Sequence, residues 1–569
     1  MVKFWWQRNR VHYDQRAKEI APDEIFIDSS NLPNFDTSQF EGRLEKAIPR
    51  RSIFILISFF LLIIFVFIFR IANLQIIEGN DYFTMSENNR LRNSLIFAKR
   101  GVIYDRQETK LAWNIENSES NSFDLRKYIS LDGFAHLLGY LKYPQKDKAG
   151  FYYTEVFTGK EGGVEEFYNK DLSGKNGSMI TEVDALGNPQ SENIMIPAQD
   201  GENIVLSIDA DIQHKMYEEI KDLAEKVGFD GGAGVIMDVN TGEILVITSY
   251  PEYSLQVLTD GSDTLTINKY LTDKKNPFLN RVIDGLYTPG STVKPYMAYG
   301  ALGENIIDPL TNIYSSGSIS IPNPYDPDKP TIFRDWKAHG YVDMRKAVAV
   351  SSDVYFYEIG GGFEKQKGLG IVNIDKYMKM FGFGEVIVSP FFAGPAGIVP
   401  TPEWKKVNFA GDDWRVGNTY HTSIGQYGFQ VAPMQMVRAV SVLANGGKLI
   451  EPTILLNGKS PSVKDLNLDL NYLKIVKEGM RDGVIKDYGV ARGLNSGDYS
   501  VAAKTGTAEL GVYKQFVNSW VTGFFPYENP KYAFVVIMEK GPVANTTGAT
   551  FVMRQVLDFI ALNEPKYFQ

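Results

Sequence analysis

The sequence predicts an α/β (α+β) domain with a central antiparallel sheet sandwiched by helices. A β-rich, extended segment and a single N-terminal transmembrane helix precede it. Three observations carry this reading. Residues 53–69 form an apolar run interrupted only by Ser58. Residues 231–250 hold two apolar, β-rich runs joined by the turn Asn240-Thr241-Gly242. Residues 500–508, 519–525 and 532–539 read as three further strands, with helical segments in between. Strands from both ends of a region, with helices between them, describe one sheet closed by the two termini of a domain.

A chain of 569 residues is too long for one core, and about 150 residues per domain gives roughly three to four units. With 44% hydrophobic and 22% charged residues the composition is that of a folded protein. The net charge of −9 argues against a nucleic-acid partner, which favours a basic surface. There is no cysteine, which excludes disulfides, thiolate metal sites and a cysteine nucleophile. The five histidines, His12, His136, His214, His339 and His421, are scattered. A Ser-His-Asp triad does not need sequence proximity, but a base other than histidine becomes the better expectation.

The apolar run spans about 25 Å at the helical rise, and about 30 Å if Arg70 snorkels and the helix continues to Ala72. It has no polar face, as a buried helix of a water-soluble domain would. Arg43, Lys46, Arg50 and Arg51 precede it, whereas Arg70, Glu78, Asp81 and Glu87 follow. The positive-inside bias then puts residues 1–52 in the cytoplasm and the bulk of the chain outside it. Fifty-two mostly polar residues ahead of the run describe an uncleaved anchor rather than a signal peptide. The tail itself is rich in Asp, Asn, Pro and Ser, a composition for a disordered or docking segment. Beyond the membrane, residues 100–114 read as strand-turn-strand. A polar stretch follows, then strand-like alternation at 178–190 and from Asn203 to Gln213.

Three short motifs carry chemistry. Residues 285–302 (GLYTPGSTVKPYMAYGAL) predict a helix opening near Ser291, with Pro295 confined to its first turn because it has no N–H. Ser291 and Lys294 are three apart and share a helix face. A serine hydroxyl needs a neighbouring base to become a nucleophile, and a desolvated lysine is such a base. The helix N-terminus would offer N–H groups to a developing oxyanion. Alone, this spacing is equally a capping serine and an exposed lysine. Ser351-Ser352-Asp353 is by itself as well explained as a helix N-cap. Lys504-Thr505-Gly506-Thr507 lies in a β-rich segment, where Gly506 implies a close backbone approach by a ligand, although a lysine on an exposed edge reads the same way. Their order, with Ser351 60 residues and Lys504 213 residues after Ser291, makes the three motifs one set. A serine-lysine helix, a Ser-x-Asp/Asn loop and a Lys-Thr-Gly strand belong together in penicillin-recognising enzymes.

The resemblance extends well past the motifs. Residues 100–539 resemble class B penicillin-binding proteins of the elongation group. The pieces include residues 100–106 (RGVIYDR), 163–168 (GVEEFY), 242–251 (GEILVITSYP), 276–281 (NPFLNR), 397–405 (GIVPTPEWK), 423–435 (SIGQYGFQVAPMQ) and 519–526 (SWVTGFFP). Nothing resembles the glycosyltransferase domain of bifunctional relatives. The resemblance implies a cytoplasmic tail (1–52), a transmembrane helix (53–72), a pedestal of the dimerisation type with a reduced head (73–228) and a transpeptidase domain (229–569). It implies a peptidoglycan D,D-transpeptidase of cell-wall elongation in the cytoplasmic membrane, bound covalently by β-lactams and working with a membrane glycosyltransferase. In that reading Ser291 attacks the penultimate D-alanine carbonyl of a stem pentapeptide ending in D-Ala-D-Ala, and Lys294 is the base. Ser351 passes the proton to the leaving amine. Lys504 and Thr505 hold the terminal carboxylate, with Asp353 and Gly506 beside it. The N–H groups of Ser291 and Thr507 form the oxyanion hole. No cofactor and no metal is implied.

Three departures accompany the resemblance. Position 353 is Asp where many relatives have Asn. Val348 stands where some relatives carry a zinc-binding cysteine, which leaves Asp335 and His339 without that ligand. The stretch between Asn114 and His136 is short for the family's head. The motifs alone leave open a septal transpeptidase, a carboxypeptidase or β-lactamase, and a silent activator of a glycosyltransferase.

Overall fold

The computed structural model describes residues 50–83, 91–118, 123–146, 152–183, 189–323, 326, 328–458, 462–511 and 513–569. The polar tail read from the sequence therefore lies, up to residue 49, outside the described residues. The chain divides into two compact units, Met1–Leu91 and Arg92–Gln569. In the first, helix α1 (Arg50–Ala72) continues through a π-helical turn at Asn73–Ile77. No side chain of α1 is buried, and all its phenylalanines and all its isoleucines but Ile63 are exposed. Among the described residues it is the one helix long and apolar enough to cross a membrane.

The second unit opens with small sheets. Strand β1 (Leu91–Ile96) lies in one of them, and β2 (Ile103–Tyr104), β3 (Lys110–Ile115) and β4 (Leu125–Tyr128) in another. Strands β5 (Gly177–Val183) and β6 (Pro189–Ile196) complete the first sheet in the order β1-β5-β6. Strand β7 (Ile204–Val205) joins the second in the order β7-β2-β3-β4, parallel to β2. The polar stretch read between Asn114 and Gly177 contains short strands and helices of its own. What ties these pieces is a buried ion cluster. Glu165 accepts from Arg100 Nε (2.7 Å) and Arg126 Nε (2.6 Å), and all three side chains are withdrawn from water. Buried charges persist only when paired and hydrogen-bonded in this way.

Helix α2 (Ala210–Val227) corrects the strand reading of residues 203–213, which holds only for β7. Asp209 caps α2 by accepting from the Ile212 N–H, and Gly228 closes it in the left-handed region at φ 82°. Ile212, Met216, Ile220 and Leu223 form its buried stripe at helical spacing. An N-cap aspartate, that stripe and a C-terminal glycine were all readable, but the short alternation before Asp209 masked them.

The central sheet contains β8 (Gly231–Asp238) and β9 (Ile244–Tyr250), the expected hairpin. Further along come helices α3 (Lys294–Gly303), α4 (Met344–Val350), α5 (Asp353–Gly361), α6 (Pro433–Ala444) and α7 (Leu470–Ile485). Strands β10 (Ala502–Leu510), β11 (Phe516–Phe525) and β12 (Tyr532–Pro542) and helix α8 (Ala549–Asn563) end the unit. The sheet order is β9-β8-β12-β11-β10, with every neighbouring pair antiparallel. Alternation along β12 sends Phe534, Val536 and Met538 into one core, with α2 and α8. Ala533, Val535 and Ile537 enter the other core, with α6 and α3. The sheet is thus covered on both faces, as the fold class predicted.

Candidate active site

Three elements meet at one end of β10. The segment that carries Ser291 is a 3₁₀ turn, Gly290–Val293, which runs directly into α3. Pro295 lies at the start of that helix, where its missing N–H costs nothing. The turn is pinned from several sides. Trp520 Nε1 donates to Thr288 O (3.0 Å), Gly290 N to Gly425 O (3.0 Å) and Thr292 Oγ1 to Pro289 O (2.9 Å). Gly290 has φ 55°, and a Cβ there would stand 2.8 Å from Thr507 O on β10. On the other side of the same contact, a Cβ on Gly506 would meet Thr292 Cγ2 at 2.7 Å and Pro289 O at 2.8 Å. Gly506 thus admits the serine turn itself against the strand, where the sequence had suggested only a ligand. Ser291 remains half exposed while Thr292, Val293 and Lys294 are buried.

The second element is the turn between α4 and α5. Ser351 ends α4 in the left-handed conformation (φ 58°, ψ 41°), a costly geometry for a residue with a side chain. Ser352 then caps α5, accepting from the Tyr355 N–H. The helix-cap reading of this tripeptide is therefore correct for Ser352, and it leaves Ser351 and Asp353 free to face the lysines.

Lys294 is fully buried, and its Nζ donates to Asp353 Oδ1 (2.6 Å), Ser351 O (2.8 Å) and Ser351 Oγ (3.3 Å). Its hydrogen bonds thus run to the second motif rather than to the hydroxyl of Ser291. Lys504, 1% exposed, places its Nζ 2.8 Å from Ser351 Oγ and 2.9 Å from Thr505 O. Burial drives the Lys504 amine well below the ordinary lysine range, and the neighbouring Lys294 charge lowers it further against the opposing pull of Asp353. Two buried lysines, one buried serine hydroxyl and one partly exposed carboxylate thus form a single polar chain. Thr505 and Thr507 continue the strand beside it, paired with Val521 and Ser519.

Sequence reasoning missed the support behind this chain. Asp335 Oδ2 accepts from Ser352 Oγ (2.8 Å), Ser315 Oγ (3.2 Å) and the Val354 N–H (3.0 Å). Burial works to raise the Asp335 carboxyl, but His339, the Val354 N–H and the Lys294 charge outweigh it and hold it at about 2. Asp335 Oδ1 faces His339 Nε2 at 3.4 Å. Val348 is buried in α4, and among the described residues no group of three metal-ligating side chains forms.

Comparison with known proteins places this arrangement in a class. Residues 232–558 match the model of the penicillin-binding protein transpeptidase domain, and residues 119–206 match that of the penicillin-binding protein dimerisation domain. The chain belongs to the penicillin-binding protein transpeptidases, and within them to the class B, penicillin-binding protein 2 type. It is 30% identical over 468 residues to the peptidoglycan D,D-transpeptidase MrdA of Haemophilus influenzae, across 76% of this chain and 69% of that one. Among solved structures it resembles Pseudomonas aeruginosa PBP2 in complex with WCK 5153, at a TM-score of 0.69 and 28% identity, over 84% of this chain and 98% of that one. It also resembles Helicobacter pylori PBP2 in its complex with MreC, at a TM-score of 0.68 and 27% identity, over 84% and 100%.

Proposed function

We propose that the chain is a peptidoglycan D,D-transpeptidase of cell-wall elongation, held by α1 in the cytoplasmic membrane. The observation that carries this reading is the position of Ser351 Oγ, 3.3 Å from Lys294 Nζ and 2.8 Å from Lys504 Nζ. It links the three motifs into one proton path beside a half-exposed serine.

In this mechanism Ser291 Oγ attacks the penultimate D-alanine carbonyl of a stem pentapeptide, and Lys294 takes its proton. The carbonyl oxygen becomes an oxyanion held by the N–H groups of Ser291 and Thr507. The C–N bond then breaks, and the proton reaches the leaving D-alanine amine through Ser351. Lys294 resupplies Ser351 with the proton it took from Ser291, and Lys504 and Thr505 hold the terminal carboxylate. Asp353 keeps the Lys294 head within reach of Ser351, and Gly506 lets β10 lie against the serine turn. An amine of a neighbouring stem peptide attacks the acyl-enzyme and closes the cross-link. A β-lactam amide follows the first half of this path and stops at the ester.

The excess of basic residues around the start of α1 supports reading residues 1–52 as cytoplasmic and the enzyme as outside. Residues 53–72 are then the span, 73–228 the pedestal with its reduced head, and 229–569 the transpeptidase domain. The working partners are a membrane glycosyltransferase and, by analogy with the Helicobacter pylori complex, a protein of the MreC kind. Intact-protein mass after exposure to a labelled penicillin tests the reading. A stable adduct forms on wild type and none on Ser291→Ala. An unmodified wild-type chain overturns it.

A further inference from the structure

An aromatic group adjoins the segment that flanks the serine turn. Gly425 O receives the Gly290 N–H beside Ser291 (3.0 Å), and Tyr287 and Val431 exchange backbone hydrogen bonds at 3.0 Å. Residues 425–431 therefore flank the serine turn directly. Two residues past Gly425, Tyr427 adopts φ 61°, a conformation that favours glycine and strains a tyrosine. Two residues of chain reach at most about 7 Å, so the Tyr427 backbone stays close to that turn.

The Tyr427 ring joins three others. Phe409 stacks on it at 5.9 Å with 12° between planes, while Trp404 (6.0 Å) and Trp414 (5.7 Å) meet it edge-on. The group is rigidly mounted. Trp404 sits on the helix Pro402–Asn408, capped by Thr401, and packs against Gly428, where a Cβ would stand 2.3 Å from the indole. Trp414 Nε1 donates to Thr419 Oγ1 (2.8 Å). Yet the cluster is not a closed core: Phe409 is 48% exposed, and Trp404, Trp414 and Tyr427 are partly exposed. The charged residues of this segment sum to zero, Glu403, Asp412 and Asp413 against Lys405, Lys406 and Arg415, and Asp412 pairs with both Lys405 (2.7 Å) and Arg415 (2.8 Å).

We infer that Tyr427, Phe409, Trp404 and Trp414 form a binding platform for the amino-sugar rings of the glycan strand that carries the stem peptide. This rests on the transpeptidase reading above. Open aromatic faces accept apolar ring surfaces, and a rim of paired carboxylate and guanidinium offers hydrogen bonds to hydroxyl and amide groups without net charge. That chemistry fits a neutral sugar and not a phosphate, which needs uncompensated base. Its continuity with the Ser291 turn fits a ligand joined covalently to the acylating peptide. The strain retained at Tyr427 keeps its ring in this cluster, where a glycine would leave the three other rings without their common partner.

The test uses the full chain in detergent with paired substrates that differ only in the sugar. One arm measures D-alanine release from a disaccharide-pentapeptide against the same pentapeptide alone. The other measures capture of a preformed acyl-enzyme by a disaccharide-tetrapeptide against the free tetrapeptide. The wild-type enzyme is expected to favour the sugar-bearing member by about tenfold in at least one arm, equivalent to a single strong contact. The arm that shows it tells whether the donor or the acceptor strand lies on the platform. Tyr427→Gly, which also relieves the backbone, and Phe409→Ala are each expected to bring that ratio close to one. Equal wild-type rates with and without sugar in both arms, or a ratio that both variants keep, overturns the inference. A wild-type chain that takes no penicillin overturns the transpeptidase reading instead, so the two failures are distinguishable.

Discussion

The amine of Lys504 lies 2.8 Å from the hydroxyl of Ser351, entirely enclosed by protein and within the field of a second lysine. Enclosure and like charge both favour the neutral amine, which can accept the Ser351 proton. The penicillin acylation rate is therefore expected to rise with pH through a group that titrates well below 10.5. Because the native amine gives up its proton before the unfolded one does, stability also rises with pH between those two values. Lys504→Arg fixes the positive charge. It should remove the ascending limb and slow acylation by about a hundredfold, read by stopped-flow labelling across pH.

Asp353 and Lys294 form the tightest contact of the site, at 2.6 Å. Asp353→Ala leaves the buried Lys294 head with Ser351 alone and is expected to cost about 3 kcal/mol in chemical denaturation. Asp353→Asn keeps an acceptor in place. It should cost less than half of that and preserve a measurable penicillin adduct. Equal losses in the two variants would show that the charge of Asp353, rather than its hydrogen bond, holds Lys294.

Asp335 acts on the site through Ser352 and Val354. With its carboxyl at about 2 against an ordinary 3.8, the native state binds fewer protons than the unfolded chain in that interval. Its contribution is fully present above the ordinary carboxylate range and lost as pH falls toward 2, an amount of about 2 kcal/mol. Asp335→Asn should flatten the acid limb of the stability profile by that amount. It should also slow acylation while leaving the ability of added hydroxylamine to release the acyl-enzyme unchanged.

Gly506→Ala would drive a methyl into Thr292 and the Pro289 carbonyl. The strand and the serine turn must then separate by a fraction of an ångström. Acylation is expected to fall by up to about a hundredfold from misplacement of Ser291. Unfolding should shift by only about 1–3 kcal/mol, the usual range for overpacking. Measuring both on one preparation separates geometry from stability.

The sequence made Ser291, Lys294, Ser351 and Lys504 readable because residue type and spacing alone mark them. The same holds for α1 and for β8 to β12, whose apolar periods need no partner to be seen. Asp335 was named only as a metal position of relatives, and its support of the second motif was hidden for the opposite reason. It is one acid among many in a polar loop, and only the fold shows that Ser352 and Val354 converge on it. Glu165 was quoted within a family signature, but its pairing with Arg100 and Arg126 spans 65 and 39 residues and follows no local rule. Tyr427 was read only as part of a run, since a positive φ at a non-glycine residue leaves no mark in sequence. Helix α2 was a plain misreading, in which two strand-like residues outweighed a cap and a stripe.

The position of β12 sets a timetable for the chain. It is the middle strand of the sheet, inserted between β8 and β11, and it joins Gly231 to Glu539 in register. The hairpin of β8 and β9 therefore waits, with one side unpaired, while some three hundred residues are made. Contacts of such separation fold slowly and expose strand edges in the interval. Until β12 arrives, β10 and β11 have no sheet to join, so the Ser291 turn lacks a fixed strand and Lys504 lacks its burial. The nucleophile is thus assembled last, when the whole body closes, and a chain truncated before Tyr532 carries all three motifs with no active site.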